Sequence, residues 1–384
     1  MRSSWSKILL LYACGVGAGL QFAKASVVFD ALSEHYQAGP ALAGWFVSAV
    51  GLVGVVFGAT AGLVVARLGS RKTLIGALAA GALIAFAEGF LPPIPAFLAL
   101  RGVEGAAHLA IVVAAPSALL AATTPSNRGV ALGLWGTFMS VAFLVGGSAA
   151  PALVARFGLG APFFAHAGLL VALALGAYVA APADRPAAPA NLRGVLAQHI
   201  EVYANARTAT PALCFLCYTG MYLAVQTLTP ELAPPGERAA LIVGMAIVSV
   251  VASLVAGTLA QRGFSPFALT IGAFAATLAA SLVVEAAVGH DAAIAPAALA
   301  RMAFLSFLPG AILPMIPRLN THAQEQARAF GALAQTGNVG SALGPPLFAT
   351  SAAALGPIGL LLPVAALCVL GGWLTARAAR RFAT

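Results

Sequence analysis

Charge is what this sequence has least of. Asp, Glu, Lys and Arg make up only 8% of its 384 residues, against about 25% in a soluble domain, so the chain is not built to face water. Acid is scarcer than base, 11 residues against 20, which leaves a net charge of +9. Nucleic-acid binding would need that excess along a solvated face, but the basic residues sit in short segments between apolar runs, so that reading is set aside. Cysteine is sparse: Cys14, Cys214, Cys217 and Cys368 all fall inside apolar runs. The one C-x-x-C has no second ligand pair at zinc spacing, and small buried thiols are expected. There is no Walker loop, His/Cys metal set, nucleophile elbow or dinucleotide fingerprint, and no hydrophilic stretch long enough for a soluble catalytic domain. An enzyme, a metal and a cofactor are therefore not expected.

What the chain has in abundance is apolar length. Hydrophobic residues make up 61% of it, and windows of about 20 apolar residues predict twelve membrane spans. The first six lie near 8–29, 41–65, 73–91, 96–122, 129–154 and 161–181, and the second six near 208–229, 239–261, 266–288, 295–316, 329–354 and 357–376. The start imitates a signal peptide, with Arg2 and Lys7 before an apolar run and Ala23-Lys24-Ala25 after it. Apolar character resumes at once, so an uncleaved first span is expected. Three domains follow: a six-helix bundle over 1–181, a cytoplasmic linker over 182–207 and a second bundle over 208–384. In the linker, Leu192, Val195, Leu196 and Ile200 recur at helical spacing and predict a short amphipathic helix on the membrane surface.

Basic residues set the orientation. With the N-terminus in the cytoplasm, only Arg156 and Arg238 face outward, and Lys24, Arg101 and Arg301 lie within spans. The other 15 of the 20 Lys and Arg face inward, so both termini are expected inside. The halves also repeat. Gly62 and Arg67 are echoed 195 positions later by Gly257 and Arg262, and Pro151 by Pro346; Arg101 and Arg128 are echoed 200 positions later by Arg301 and Arg328. Such offsets indicate a duplicated six-span unit, an arrangement used by secondary transporters.

Ionisable residues within a span are costly and mark candidate sites. In span 4, Arg101, Glu104 and His108 fall at i, i+3 and i+7, on one helix face. Glu88 in span 3 and Arg101 lie at similar distances from the tip of their hairpin, as do Glu285 and Arg301 in the second half. A structural Glu–Arg pair is expected in each, with substrate or proton work equally open. Glu104 and His108 have no echo, since positions 304 and 308 are Phe and Leu. Either could carry a proton across the membrane, or both could belong to a satisfied polar cluster with Arg101.

The chain resembles the major facilitator superfamily over its whole length. Its loop after span 2 is similar to the family's G-x-x-x-D-R-x-G-R-K signature at Gly62, Arg67 and Gly69, with Arg71 and Lys72 following. It departs at Ala66, where the family has Asp, and at Ser70. Span 4 carries R-x-x-x-G at Arg101 and Gly105, and span 11 carries Gly331, Gly340, Gly344 and Pro345 at the spacing of the family's antiporter motif. That motif normally lies in span 5, where this chain keeps Gly146 and an offset Pro151.

The resemblance implies an all-α integral membrane fold that moves solutes by alternating access. The segment around Gly62–Lys72, echoed at Gly257 and Arg262, would gate the cytoplasmic side. It also implies that spans 1, 4, 7 and 10 line a cavity, which would bring Gln21, Lys24, Arg101, Tyr222, Gln226 and Arg301 toward one space, with Tyr218 one turn from Tyr222. Snorkelling of Lys24, and packing of the tyrosines, are the alternatives. Gln335 and Asn338 in span 11 are read as interhelical glue more than as substrate contacts. The expected function is a proton-coupled transporter of a small organic solute, for which the cavity suggests an anion or zwitterion, with a slight lean to efflux of a drug-like or anionic metabolite. Proton-linked uptake of an organic anion is the alternative, and a non-transporting sensor on the same scaffold a minor one. The expected partners are solute, protons and a bilayer, the bacterial inner membrane, with the protein a monomer.

Overall fold

The computed structural model describes residues 4–124, 131, 134–181, 183, 203–320 and 323–382, and every regular element among them is a helix. The first half holds α1 (Trp5–Ser26), α2 (Phe29–His35), α3 (Pro40–Ser48), α4 (Leu52–Leu68), α5 (Ser70–Glu88) and α6 (Ile94–Ala121), followed by α7 (Phe138–Phe157) and α8 (Ala161–Ala180). The second holds α9 (Ala206–Leu228), α10 (Arg238–Gln261), α11 (Pro266–Ala287), α12 (Asp291–Ile312), α13 (Met315–Leu319), α14 (Ala323–Leu355) and α15 (Ile358–Phe382). Helices satisfy their own backbone hydrogen bonds, which is what lipid demands.

Eleven described helical segments are long and apolar enough to cross a membrane. The long helix outside that set is α14, whose 33 residues include Glu325, Gln326, Arg328, Gln335 and Asn338. Many large apolar side chains, Leu83, Phe90, Leu175, Val179 and Val369 among them, point outward. In a membrane that surface faces acyl chains. The expected amphipathic helix around Leu192–Ile200, and Arg128, lie outside the described residues.

Helix pairing follows one pattern twice. In the first half α1 packs on α6, α7 and α8, while α6 packs on α4 and α5, and α5 on α8. In the second, α9 packs on α12, α14 and α15, while α12 packs on α10 and α11, and α11 on α15. The halves meet where α14 lies along α3 and α4, and where α10 meets α7. Besides mid-bundle bonds from Gln335 to the Val55 carbonyl and between Tyr222 and Ser140, the halves are tied at the end away from Trp5. There Ser26 and Thr227 share a hydrogen bond of 2.6 Å and Arg238 joins Asp30 to Glu231.

Breaks fall within expected spans 2 and 5. Span 2 is broken by a 3-10 turn at Ala49–Gly51. Span 5 has a turn at Gly136–Thr137, where Tyr12 bonds the Thr137 hydroxyl at 2.8 Å, so its long helix starts at Phe138 instead of near 129. Gly69 joins α4 to α5 at φ +91°, a conformation natural only to glycine.

Gly340 and Gly344 of span 11 have a packing role. A Cβ on Gly344 would strike the Gly220 carbonyl of α9, and one on Gly340 would lie 2.6 Å from the Gly220 nitrogen. Gly344→Ala should therefore push α14 off α9 and cost about 1–3 kcal/mol. A thermal unfolding scan in detergent that matches the parent would contradict this. Asn338 and Gln335 sit at the other contact of α14. Asn338 lies against Gly54, and Gln335 donates to the Val55 carbonyl at 2.9 Å while accepting from Tyr203 at 2.9 Å.

Candidate functional site

Four charged side chains meet inside the first half, all between 0 and 2% exposed: Lys24 of α1, Glu88 of α5, and Arg101 and Glu104 of α6. The Lys24 Nζ lies 2.6 Å from both Glu88 Oε2 and Glu104 Oε1. Arg101 Nη1 pairs with Glu104 one turn along its own helix and lies 3.6 Å from Glu88 Oε1. Two cations and two anions leave the quartet neutral, which is what makes its burial tolerable. Glu104 receives hydrogen bonds from both cations, whereas neither Glu88 oxygen has a well-angled donor and the contact is ionic alone.

Arg101 also explains the break in span 2. Its Nε donates to the Phe46 carbonyl at 2.7 Å and its Nη2 to the Val47 carbonyl at 3.3 Å. A regular helix would spend those carbonyls on the amides four residues on; the 3-10 turn at Ala49–Gly51 turns them toward the arginine. Gly105 completes the arrangement, because a Cβ there would strike the Val50 carbonyl. The R-x-x-x-G spacing is thus the imprint of α6 docking on a bent span 2, and mid-helix 3-10 turns of this kind often mark hinges.

Around the quartet, His108 donates from Nδ1 to the Ala18 carbonyl at 3.1 Å, with Gln21 Oε1 equally near, and its ring meets Phe22 edge-on. It anchors to α1 instead of joining the Arg101–Glu104 pair. Toward the end of the bundle away from Trp5, the rings of Tyr36, Phe46, Phe97 and Phe163 form a chain of contacts with centroids 5.3–5.8 Å apart, and Lys24 lies 5.3 Å from the Phe163 centroid. Tyr36 donates to the Pro92 carbonyl at 2.8 Å. Its phenol is pushed up to about 12 by burial and by the Glu88 carboxylate, so it stays a neutral donor.

The six residues expected around one cavity separate into groups. Gln21, Lys24 and Arg101 are enclosed within the first half. Tyr222 bridges the halves, 3.2 Å from the Ser140 hydroxyl, with the Tyr218 ring 5.4 Å from its own. Gln226 turns to the Ile242 carbonyl at 3.2 Å. Arg301 is 2% exposed and bonds the Thr229 hydroxyl. The expected Glu285–Arg301 ion pair is not formed. Arg301 lies ten residues into α12, about 15 Å, whereas Arg101 lies seven into α6, about 10 Å. That extra turn of depth leaves the guanidinium out of contact with Glu285, which stays half-buried two residues from the end of α11 and acts on it only at longer range. The Arg301 Nε is buried without a hydrogen-bond partner.

On the other face of the bundle, Gly62 and Arg67 lie in the last two turns of α4, and Lys72 is exposed near the start of α5. Arg71 reaches the Tyr178 carbonyl and lies 5.8 Å from its ring, tying α5 to the end of α8. Gly257 and the exposed Arg262 occupy the matching end of α10.

One buried residue carries a sequence signal of the same kind as Glu104 without having been singled out by it. His166 lies in the apolar run of span 6, 4% exposed, with Nε2 donating to the Gly17 carbonyl at 2.9 Å and Nδ1 unbonded. Among the described residues no cluster of His, Cys, Asp and Glu could hold a metal.

The family model described as Major Facilitator Superfamily matches residues 11–345 of this chain. No curated protein matches it.

Proposed function

This chain belongs to the major facilitator superfamily, a family of transporters, and from that premise we propose that it moves a small organic anion across the membrane by alternating access, coupled to protons. It is an integral, multi-pass membrane protein. In the proposed arrangement α14 is span 11 and brings the spans to twelve, both termini are cytoplasmic, and the bundles 1–181 and 208–384 rock about their interface as a monomer. The bonds joining the halves at the end away from Trp5 then close the outer face.

The observation that carries the anion is the asymmetry of the two buried arginines. Arg101 is neutralised within its quartet, whereas Arg301 has no carboxylate within ion-pair distance. Glu285 acts on Arg301 only at longer range; a buried cation without a counter-ion in contact is costly, and an anionic solute would supply one. Tyr218 and Tyr222, between the halves, are the proposed companions for its apolar body.

Protons are assigned to the quartet, chiefly to Glu104. Protonating it takes the quartet from neutral to a charge of +1, which matches a bound anion. Gly340 and Gly344 of the span 11 motif are occupied by packing against α9, so they carry no preference for export, and a proton moving with the anion fits the geometry as well as exchange does.

Reconstitution in proteoliposomes with an imposed pH gradient, screened against pools of small organic anions, tests the reading. The gradient should drive flux in the parent protein. Glu104→Gln should abolish that dependence while solute exchange at equal pH persists. If no solute moves and the gradient is never dissipated, the transport reading fails; if Glu104→Gln stays gradient-driven, the proton assignment fails alone.

A further inference from the structure

A cavity of about 110 Å³ lies between α1, α7 and α8. Its wall is apolar, with Leu20, Val27, Val145 and Leu169 among the lining residues, apart from Lys24 and His166. Lys24 is two residues from the end of α1, Pro162 is the second residue of α8, and Leu153 is four residues from the end of α7. All three ends lie on the same side of the bundle, the outer side in the proposed topology. At this volume the cavity holds on the order of three waters.

His166 gives that cavity a chemical purpose. A neutral imidazole has one donor and one acceptor nitrogen, and Nε2 must be the donor because it faces the Gly17 carbonyl. Nδ1 therefore presents a lone pair, buried and without a partner in the protein. Along the bundle axis the quartet is covered by the ring chain from Tyr36 to Phe163, whereas the side cavity reaches Lys24 directly.

We propose that this side cavity is the proton entry to the quartet, separate from the solute path between the halves, with His166 as the proton acceptor in its wall. The proposal rests on proton coupling through Glu104. Water on the outer side gives a proton to His166 Nδ1, forming an imidazolium. The imidazolium returns that proton through cavity water to the Lys24 Nζ as Lys24 passes one of its own to Glu104 Oε1, 2.6 Å away. His166 and Lys24 end unchanged, and Glu104 ends as a neutral acid. Of the ionisable groups on the neighbouring elements, Lys24 of α1 and Arg101 of α6 act on His166, and their positive charges make the imidazolium a transient carrier, while α7 lines the cavity with apolar residues only.

Water access is tested on His166→Cys in right-side-out vesicles with the anionic, membrane-impermeant reagent 2-sulfonatoethyl methanethiosulfonate. The native cysteines are all buried and set the background. The introduced thiol should react well above it, and adding Gly146→Val should return it to background. Gly146 lines the cavity, and a Cβ there meets its neighbours only at 3.5–3.7 Å, so filling should not unfold the bundle. If the His166→Cys thiol stays unreactive while a control His290→Cys on the exposed outer loop reacts, the proposal is overturned whatever the fate of proton coupling. In the anion-pool flux assay, His166→Gln keeps a donor for Gly17 but no titratable acceptor. It should slow gradient-driven flux about 100-fold and leave exchange at equal pH within about twofold of the parent. Equal loss in both assays would make His166 merely structural and sink the relay.

Discussion

Lys24→Met should be among the most damaging single changes in this protein, lowering stability by about 3–5 kcal/mol. The methionine fills nearly the same space, so the loss is electrostatic. Glu88 and Glu104 would be left, fully buried, with Arg101 alone between them. Neutralising one carboxylate should repair the damage. Lys24→Met combined with Glu88→Gln leaves one cation and one anion, and should recover most of the lost stability, with a coupling energy of several kcal/mol in a double-mutant cycle. Glu88 is the partner of choice because it holds no well-angled hydrogen bond that the amide would forfeit. Thermal unfolding of the four proteins in detergent measures the cycle. Additive effects of the two changes would show that the quartet does not act as a unit.

How much of this could be read in the sequence depends on how local the deciding geometry is. The Arg101–Glu104 contact follows from a three-residue offset on one helix, and the span limits from apolar run length; both are local. The meeting of Glu88 with Arg101 also followed, since the two helices are joined by a short hairpin. The same hairpin reasoning failed for Glu285 and Arg301 because the linker 288–290 is shorter than 89–93, and α12 begins almost a turn earlier relative to its arginine. Lys24 could be placed in the outer part of span 1, but its choice of the quartet over the cavity depends on how α1 is rotated against α5 and α6, which no spacing encodes. The bend in span 2 was hidden for a related reason. Its cause, an arginine taking two carbonyls, lies 54 and 55 residues away in the chain.

Arg301→Met should separate function from stability in a way that no change in the quartet can. Capture of an anionic solute would lose a buried cation that no carboxylate contacts, weakening apparent affinity by about 100-fold, or ~3 kcal/mol. The empty protein, in contrast, should be as stable as the parent or more so, because a buried guanidinium with no counter-ion in contact is replaced by an apolar chain of similar length. The Thr229 hydroxyl that Arg301 now engages lies at a helix turn where a backbone carbonyl can replace it as a partner. Arg101→Met should do the opposite, since it strands two carboxylates with Lys24 and frees the Phe46 and Val47 carbonyls at the bend of span 2. Unfolding scans of both variants, with and without the transported anion, provide the comparison. The parent should be stabilised by the anion and Arg301→Met should not respond to it. If Arg301→Met is instead as unstable as Arg101→Met, the second arginine is a structural post like the first, and the case for an anionic solute loses its physical basis.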